Sequence, residues 1–275
     1  MYQFYYGNAL GQPGTILSFL CQPNTARGSR GTGQVISLAF VVAENALPFW
    51  ADYLTRNGIV VGGPHQRFDT QALSFFDPDG LQIDLIAQRV TEERHIWQNG
   101  RIPPAYALRG LHSVSIAVAQ YEATAMLLHR GLEFQQVAEE GNRRRYQAGS
   151  GLTGTLFDVV HLPSVPAGTL GAGIVHHVGW RTPGEAQQLA WGYRLNDLGL
   201  NVSPIVDHFY FRACYFRDPG GVLFAIATDT PGFLLDEPPE HLGTHLMLPP
   251  WLEQQRAQLV RTLPPLRLPT STQGR

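Results

Sequence analysis

The sequence predicts an α+β chain of tandem β-α-β-β-β units, the first one incomplete, paired into two domains with cupped mixed sheets. Three observations carry this. The string "FDPDGLQIDLIAQ" (76–88) returns as "RDPGGVLFAIATD" (217–229), with Asp77-Pro78-x-Gly80 matching Asp218-Pro219-x-Gly221 and Asp84 set against Ala225. Three alternating, β-branched strands each run into a helix-like stretch that stops near a glycine. The opening "MYQFYYGN...GTILSFLC" has the form of a unit's end, "RRRYQAGS...GTLFDVV", aligning Gly14-Thr15 with Gly154-Thr155 and Ser18 with Asp158.

The elements follow in order. First strands are expected at "QVISLAFVV" (34–42), "LHSVSIAV" (111–118) and "VHHVGWRT" (175–182), where apolar and polar residues alternate. The helices after them present Leu47, Trp50 and Leu54; Ala123, Leu127 and Leu128; and Ala186, Leu189 and Tyr193 as their apolar faces. Gly58, Gly131 and Gly199 stand where a left-handed residue ends a helix. Units close with "LQIDLIA", "GTLFDVV" and "VLFAIA". The punctuation of "GRIPPAYALRG" (100–110) places a boundary between an N-terminal domain, 1–100, and a C-terminal one, 105–230. A Pro-rich tail, 231–275, holds one helical stretch, "WLEQQRAQLVRTL". Met1 falls inside what should be a strand, so an internal methionine is the expected reading of that start.

At 275 residues, 44% hydrophobic and 15% charged, the chain can bury two cores. A net charge of −2 gives no electrostatic case for nucleic acid or an anionic membrane. No apolar run reaches spanning length and no signal peptide opens the chain, which makes a cytoplasmic protein the default. Cys21 and Cys214 are far apart without CxxC spacing, and buried thiols are expected.

Taken in order, "YYGNALGQPGTILSFL", "RGSRGTGQV", "FFDPDGLQIDL", "VHHVGW", "YFRACYFRDPGGVLFAIATDTPGFLLDEP" and "LMLPPWLE" resemble the two-domain, hydroquinone-type ring-cleaving dioxygenases of the vicinal oxygen chelate superfamily. That resemblance implies Fe(II) held by two histidines and a carboxylate, an aromatic diol and O₂ as partners, and a role in aromatic compound degradation. It maps one metal ligand onto His177, with His176 and Tyr215 as catalytic neighbours that handle protons and Arg212 and His208 as substrate-binding residues. It also places the carboxylate ligand at Ala225, and the second histidine on a strand that precedes the written sequence. Two of three ligand positions are thus lost, so the rival expectation is a non-catalytic relative that binds a small aromatic ligand. A glyoxalase- or isomerase-like enzyme is the weakest of the three expectations, because such sites want a carboxylate from each of two paired units. A homo-oligomer by exchange of the half-unit is conceivable.

The unit-end series Ser18, Asp84, Asp158 and Ala225 alternates away from apolar neighbours and should face into each cup, suggesting a wet cavity. Asp84 and Asp158 are expected to satisfy backbone or arginine donors, though either of them or Glu237 could stand in for the lost ligand. His112, followed by Ser113 at the ligand-equivalent place, is expected to be structural. "NRRRY" (142–146) reads as a solvated strand edge rather than a site for an acid.

Overall fold

The computed structural model describes residues 1–89, 96, 100–149 and 154–266. Residues 2–21 form an antiparallel pair, β1 (Tyr2–Tyr6) and β2 (Leu17–Cys21). The order β-α-β-β-β then occurs three times. It runs β3 (Gln34–Ala43), α1 (Leu47–Arg56), β4 (Val61–Arg67), β5 (Thr70–Phe76) and β6 (Gln82–Gln88). Next come β7 (Leu111–Val118), α2 (Glu122–Met126) continued by a π turn at Leu127–Gly131, β8 (Gln135–Glu140), β9 (Arg143–Gln147) and β10 (Leu156–His161). The last set is β11 (Val178–Thr182), α3 (Glu185–Asp197), β12 (Val206–Asp207), β13 (Phe211–Arg217) and β14 (Leu223–Pro231). In the tail a 3₁₀ turn at Pro250–Gln255 leads into α4 (Arg256–Thr262).

Strands on both sides of the boundary expected at 100–105 share one eight-stranded sheet, ordered β4-β5-β6-β3-β7-β10-β9-β8. The join is β3 against β7, antiparallel, so each strand gives the other the hydrogen-bonding edge it would otherwise expose. A four-stranded sheet, β11-β14-β13-β12, carries the C-terminal set. A shared core lies between the sheets, where Phe157 of β10 meets Trp180 of β11 at 4.9 Å and Phe224 of β14 at 5.8 Å. The segments leading into β3 and β11 cross beside it. The amide of Thr32 donates to the carbonyl of Pro166, and that of Ser29 donates to Thr169. A Cβ on Gly31 would overlap the backbone of Pro166 and Gly168, so this crossing demands glycine.

The concave face of the larger sheet is closed by charge. Asp84 and Asp158 are both fully buried. Arg67 donates to Asp84 at 2.6 Å, and Arg145 grips both oxygens of Asp158 at 2.8 and 3.0 Å. Arg143 adds a bond to Asp158 at 3.2 Å and one to Ser115 at 2.7 Å. Guanidinium groups cover a floor that sequence alternation suggested was wet, and "NRRRY" is no solvated edge: two of its three arginines turn inward. The arginine expectation for both aspartates holds. Burial alone would raise the Asp84 carboxyl, but Arg67 and donors from Ser74 and Gln82 hold it below its ordinary value.

Two helix faces differ from the periodicity. On α2 it is Thr124, not Ala123, that is buried, because its hydroxyl donates to the buried Asp218 at 2.5 Å. On α3 the buried residues are Gln188 and Leu195, while Leu189 and Tyr193 are exposed. Gln188 outcompetes the apolar stripe because its amide donates to the carbonyls of Arg212 and Ile226 at 2.8 and 2.6 Å, stitching β13 to β14. Gly58 and Gly199 are left-handed as expected, at φ 76° and 81°. After the π turn the left-handed residue is instead Glu133, at φ 60°.

Candidate functional site

Strand register builds the site on the concave face of the four-stranded sheet. Tyr215 pairs opposite Ala225, and Ala225 pairs with Gly179 of β11. Directly paired residues share a face, so one phenol stands beside a floor of a methyl group and a hydrogen. His177 lies immediately before β11, which begins at Val178 rather than at Val175, since the edge offers residues 175–177 no ladder partner. Its ring stands edge-on to Tyr215 with centroids 5.4 Å apart. Tyr215 Oη and His208 Nε2 are 2.8 Å apart, and the His208 ring stacks on Phe211 at 4.9 Å. His176 is exposed, with Nδ1 2.9 Å from His177 Nδ1, so one imidazole donates to the other.

Four of the five residues singled out in the sequence therefore come together: His176, His177, His208 and Tyr215. Arg212 does not join them. Three residues before Tyr215 on β13, it points to the other face of the sheet, and its guanidinium pairs with Glu185 of α3 at 2.6 Å.

The electrostatics favour neutral donors and acceptors. Burial, with neighbouring His176 and His208, pushes His177 down to about 4, leaving a free lone pair at neutral pH. Burial also lowers His208, against the opposing pull of Asp207, and raises the Tyr215 phenol. The Tyr215 hydroxyl is thus a protonated donor facing a neutral imidazole.

An aromatic wall that sequence reasoning missed stands beside this row. Tyr5 of β1 packs on Phe233 at 4.8 Å, on Tyr210 at 6.2 Å and on Phe211 at 6.4 Å. Burial and the nearby Tyr215 push its phenol up to about 12. Its only signal in the sequence was its place in the incomplete opening unit, which says nothing about chemistry; the structure pairs it with Ser18. Asp229, on the same face of β14 as Ala225, was missed too; Arg181 takes both its oxygens, at 2.9 and 2.5 Å.

A family model described as the Glyoxalase/Bleomycin resistance protein/Dioxygenase superfamily matches residues 110–226. MhqO of Bacillus subtilis (strain 168), provisionally named a ring-cleaving dioxygenase, is 36% identical over 270 residues, covering 97% of this chain and 84% of that protein. The chain belongs to the Glyoxalase/Bleomycin resistance protein/Dioxygenase superfamily. Within that superfamily, a chlorohydroquinone/hydroquinone 1,2-dioxygenase of Sphingobium indicum is 32% identical over 268 residues, covering 96% of this chain and 83% of its own length. A crystal structure of a provisionally named dioxygenase from Bacillus subtilis superposes with a TM-score of 0.91 at 35% identity, over 97% of this chain and 84% of that one. Glyoxalase I from Zea mays shares the fold, with a TM-score of 0.58 at 16% identity over 84% of this chain and 78% of its own. The predicted α+β architecture with cupped sheets is therefore the one this superfamily uses.

The residues present do not fit the metal that such a resemblance implies. Among the described residues no three His, Cys, Asp or Glu side chains gather where they could hold an ion. His177 is one donor, and the buried Ala225 gives a methyl where a carboxylate is needed. Among the described residues no replacement fills the gap. Asp84 and Asp158 are held by arginines in the other sheet, Asp229 is held by Arg181, and Glu237 accepts the amide of Gly243 beside His245.

Proposed function

We propose that this chain binds a hydroquinone- or catechol-type aromatic diol between the Tyr215–His208–His177 row and the Tyr5–Tyr210–Phe233 wall, within the reaction class of ring-cleaving dioxygenases. The observation that carries the reading is the Tyr215–His208 pair, a protonated phenol and a neutral imidazole on a small-residue floor beside half-buried aromatic rings. Support for the reaction class comes from the ring-cleaving names of the relatives. A diol ring stacks on the wall, and its hydroxyl groups take bonds from Tyr215 and give them to the imidazoles. With its one proton given to the substrate oxygen, Tyr215 accepts from the Nε2–H of neutral His208 across their 2.8 Å contact, so the pair steadies charge that develops on that oxygen. O₂ is the co-substrate this class would use.

Ala225 favours a second reading, in which the chain binds the diol without turning it over. Iron content and O₂ uptake with hydroquinone separate the two. Stoichiometric iron with turnover eliminates the binding-only reading; hydroquinone binding without iron or O₂ uptake eliminates the enzyme; no binding of hydroquinone removes both.

A further inference from the structure

A cavity of about 440 Å³ begins at His176 and His177 and runs along Leu223 and Gly220–Gly221 to Arg217. Segments 32–35 and 167–170 form its other wall. No carboxylate side chain lines it. Arg217 follows Tyr215 by two residues on β13, so both stand on one face of the strand, with Cα atoms roughly 7 Å apart. That is about the reach from one hydroxyl of a dihydroxylated ring to a carboxylate substituent on its far side.

The charge on Arg217 is not spent on an acid among the described residues. Its Nη1 donates to the carbonyl of Gly221 at 2.9 Å. The adjacent Asp218 is turned away, taken by the Thr124 hydroxyl at 2.5 Å and the Val222 amide at 2.6 Å. Arg181, the other cation on this face, is neutralised by Asp229. One end of the cup is thus electrically balanced and the other carries an open guanidinium.

We infer that the preferred ligand is an aromatic diol bearing an anionic substituent, a carboxylate, with Arg217 as the residue that selects it. This rests on the diol-binding reading above. Hydroquinone and 2,5-dihydroxybenzoate are titrated, with aromatic fluorescence as readout, against the full chain and against Arg217→Gln and Arg217→Lys. The native chain is expected to bind 2,5-dihydroxybenzoate about fivefold more tightly than hydroquinone, the size expected of an exposed ion pair. Added salt should narrow the gap. Arg217→Gln should bring the two constants within a factor of two, and Arg217→Lys should keep part of the preference. Equal affinities in the native chain, or a preference that survives Arg217→Gln, overturn the role of Arg217 while leaving diol binding intact. Failure of both compounds to bind the native chain overturns the diol reading and this inference with it.

Discussion

Tyr215 and Ala225 face each other across one rung of the ladder, and each makes a different prediction. Removing the phenol hydroxyl, Tyr215→Phe, takes away one hydrogen bond, worth about 1 kcal/mol, and should weaken hydroquinone binding roughly fivefold in a fluorescence titration. Filling the methyl position, Ala225→Glu, adds the missing carboxylate beside His177. Fe(II) affinity by calorimetry should rise at least about tenfold, and His177→Ala in the same background should abolish the gain. His176, His177, His208 and Tyr215 were legible because the order of motifs pointed to them. Arg212 came only from the resemblance; alternation already sets it, three residues before Tyr215, on the opposite face of β13, where Glu185 takes it. Tyr5 was invisible for another reason: its role comes from packing against residues more than 200 positions away.

The strands beginning at Gln34 and Leu111 were legible because β-branched and apolar residues recur through them, at Val35, Leu38, Val41 and Val42 and at Val114, Ile116 and Val118. The face of α3 was not, since a single buried amide, Gln188, outweighs a stripe of apolar residues left in solvent. The charged lining of the larger sheet was half legible, in that two acids with arginine donors were expected, while Arg143 and Arg145 were read as part of a solvated edge. Its energetics are testable. Asp158→Ala leaves Arg145 and Arg143 without their buried partner and should cost about 3–5 kcal/mol in chemical denaturation. Gly31→Ala, at the crossing of the two connecting segments, should lower the melting temperature by several degrees through backbone overlap alone.

At the level of the whole molecule, stability should depend on pH through buried imidazoles. His112, 2% exposed, is pushed down to about 4, chiefly by burial and next by Arg145. Its folded value lies below its unfolded value of 6.5, so the unfolded chain binds the extra proton. The stabilising effect is complete above about pH 6.5 and is lost as pH falls toward 4, by about 3 kcal/mol for this group. Unfolding free energies measured across that window should fall with pH, and His112→Gln should flatten the curve. The strand order carries a further consequence. Residues 34–161 supply every strand of the larger sheet from one stretch of chain, whereas the site needs Tyr5 beside Tyr210 and both connecting segments in place. Contacts of such long sequence separation form late and open first. Amide exchange should therefore be faster in β1, β11 and β13 than in β3 and β7, and a bound diol should slow those three strands most, making the ligand the clasp that holds the two ends of the chain together.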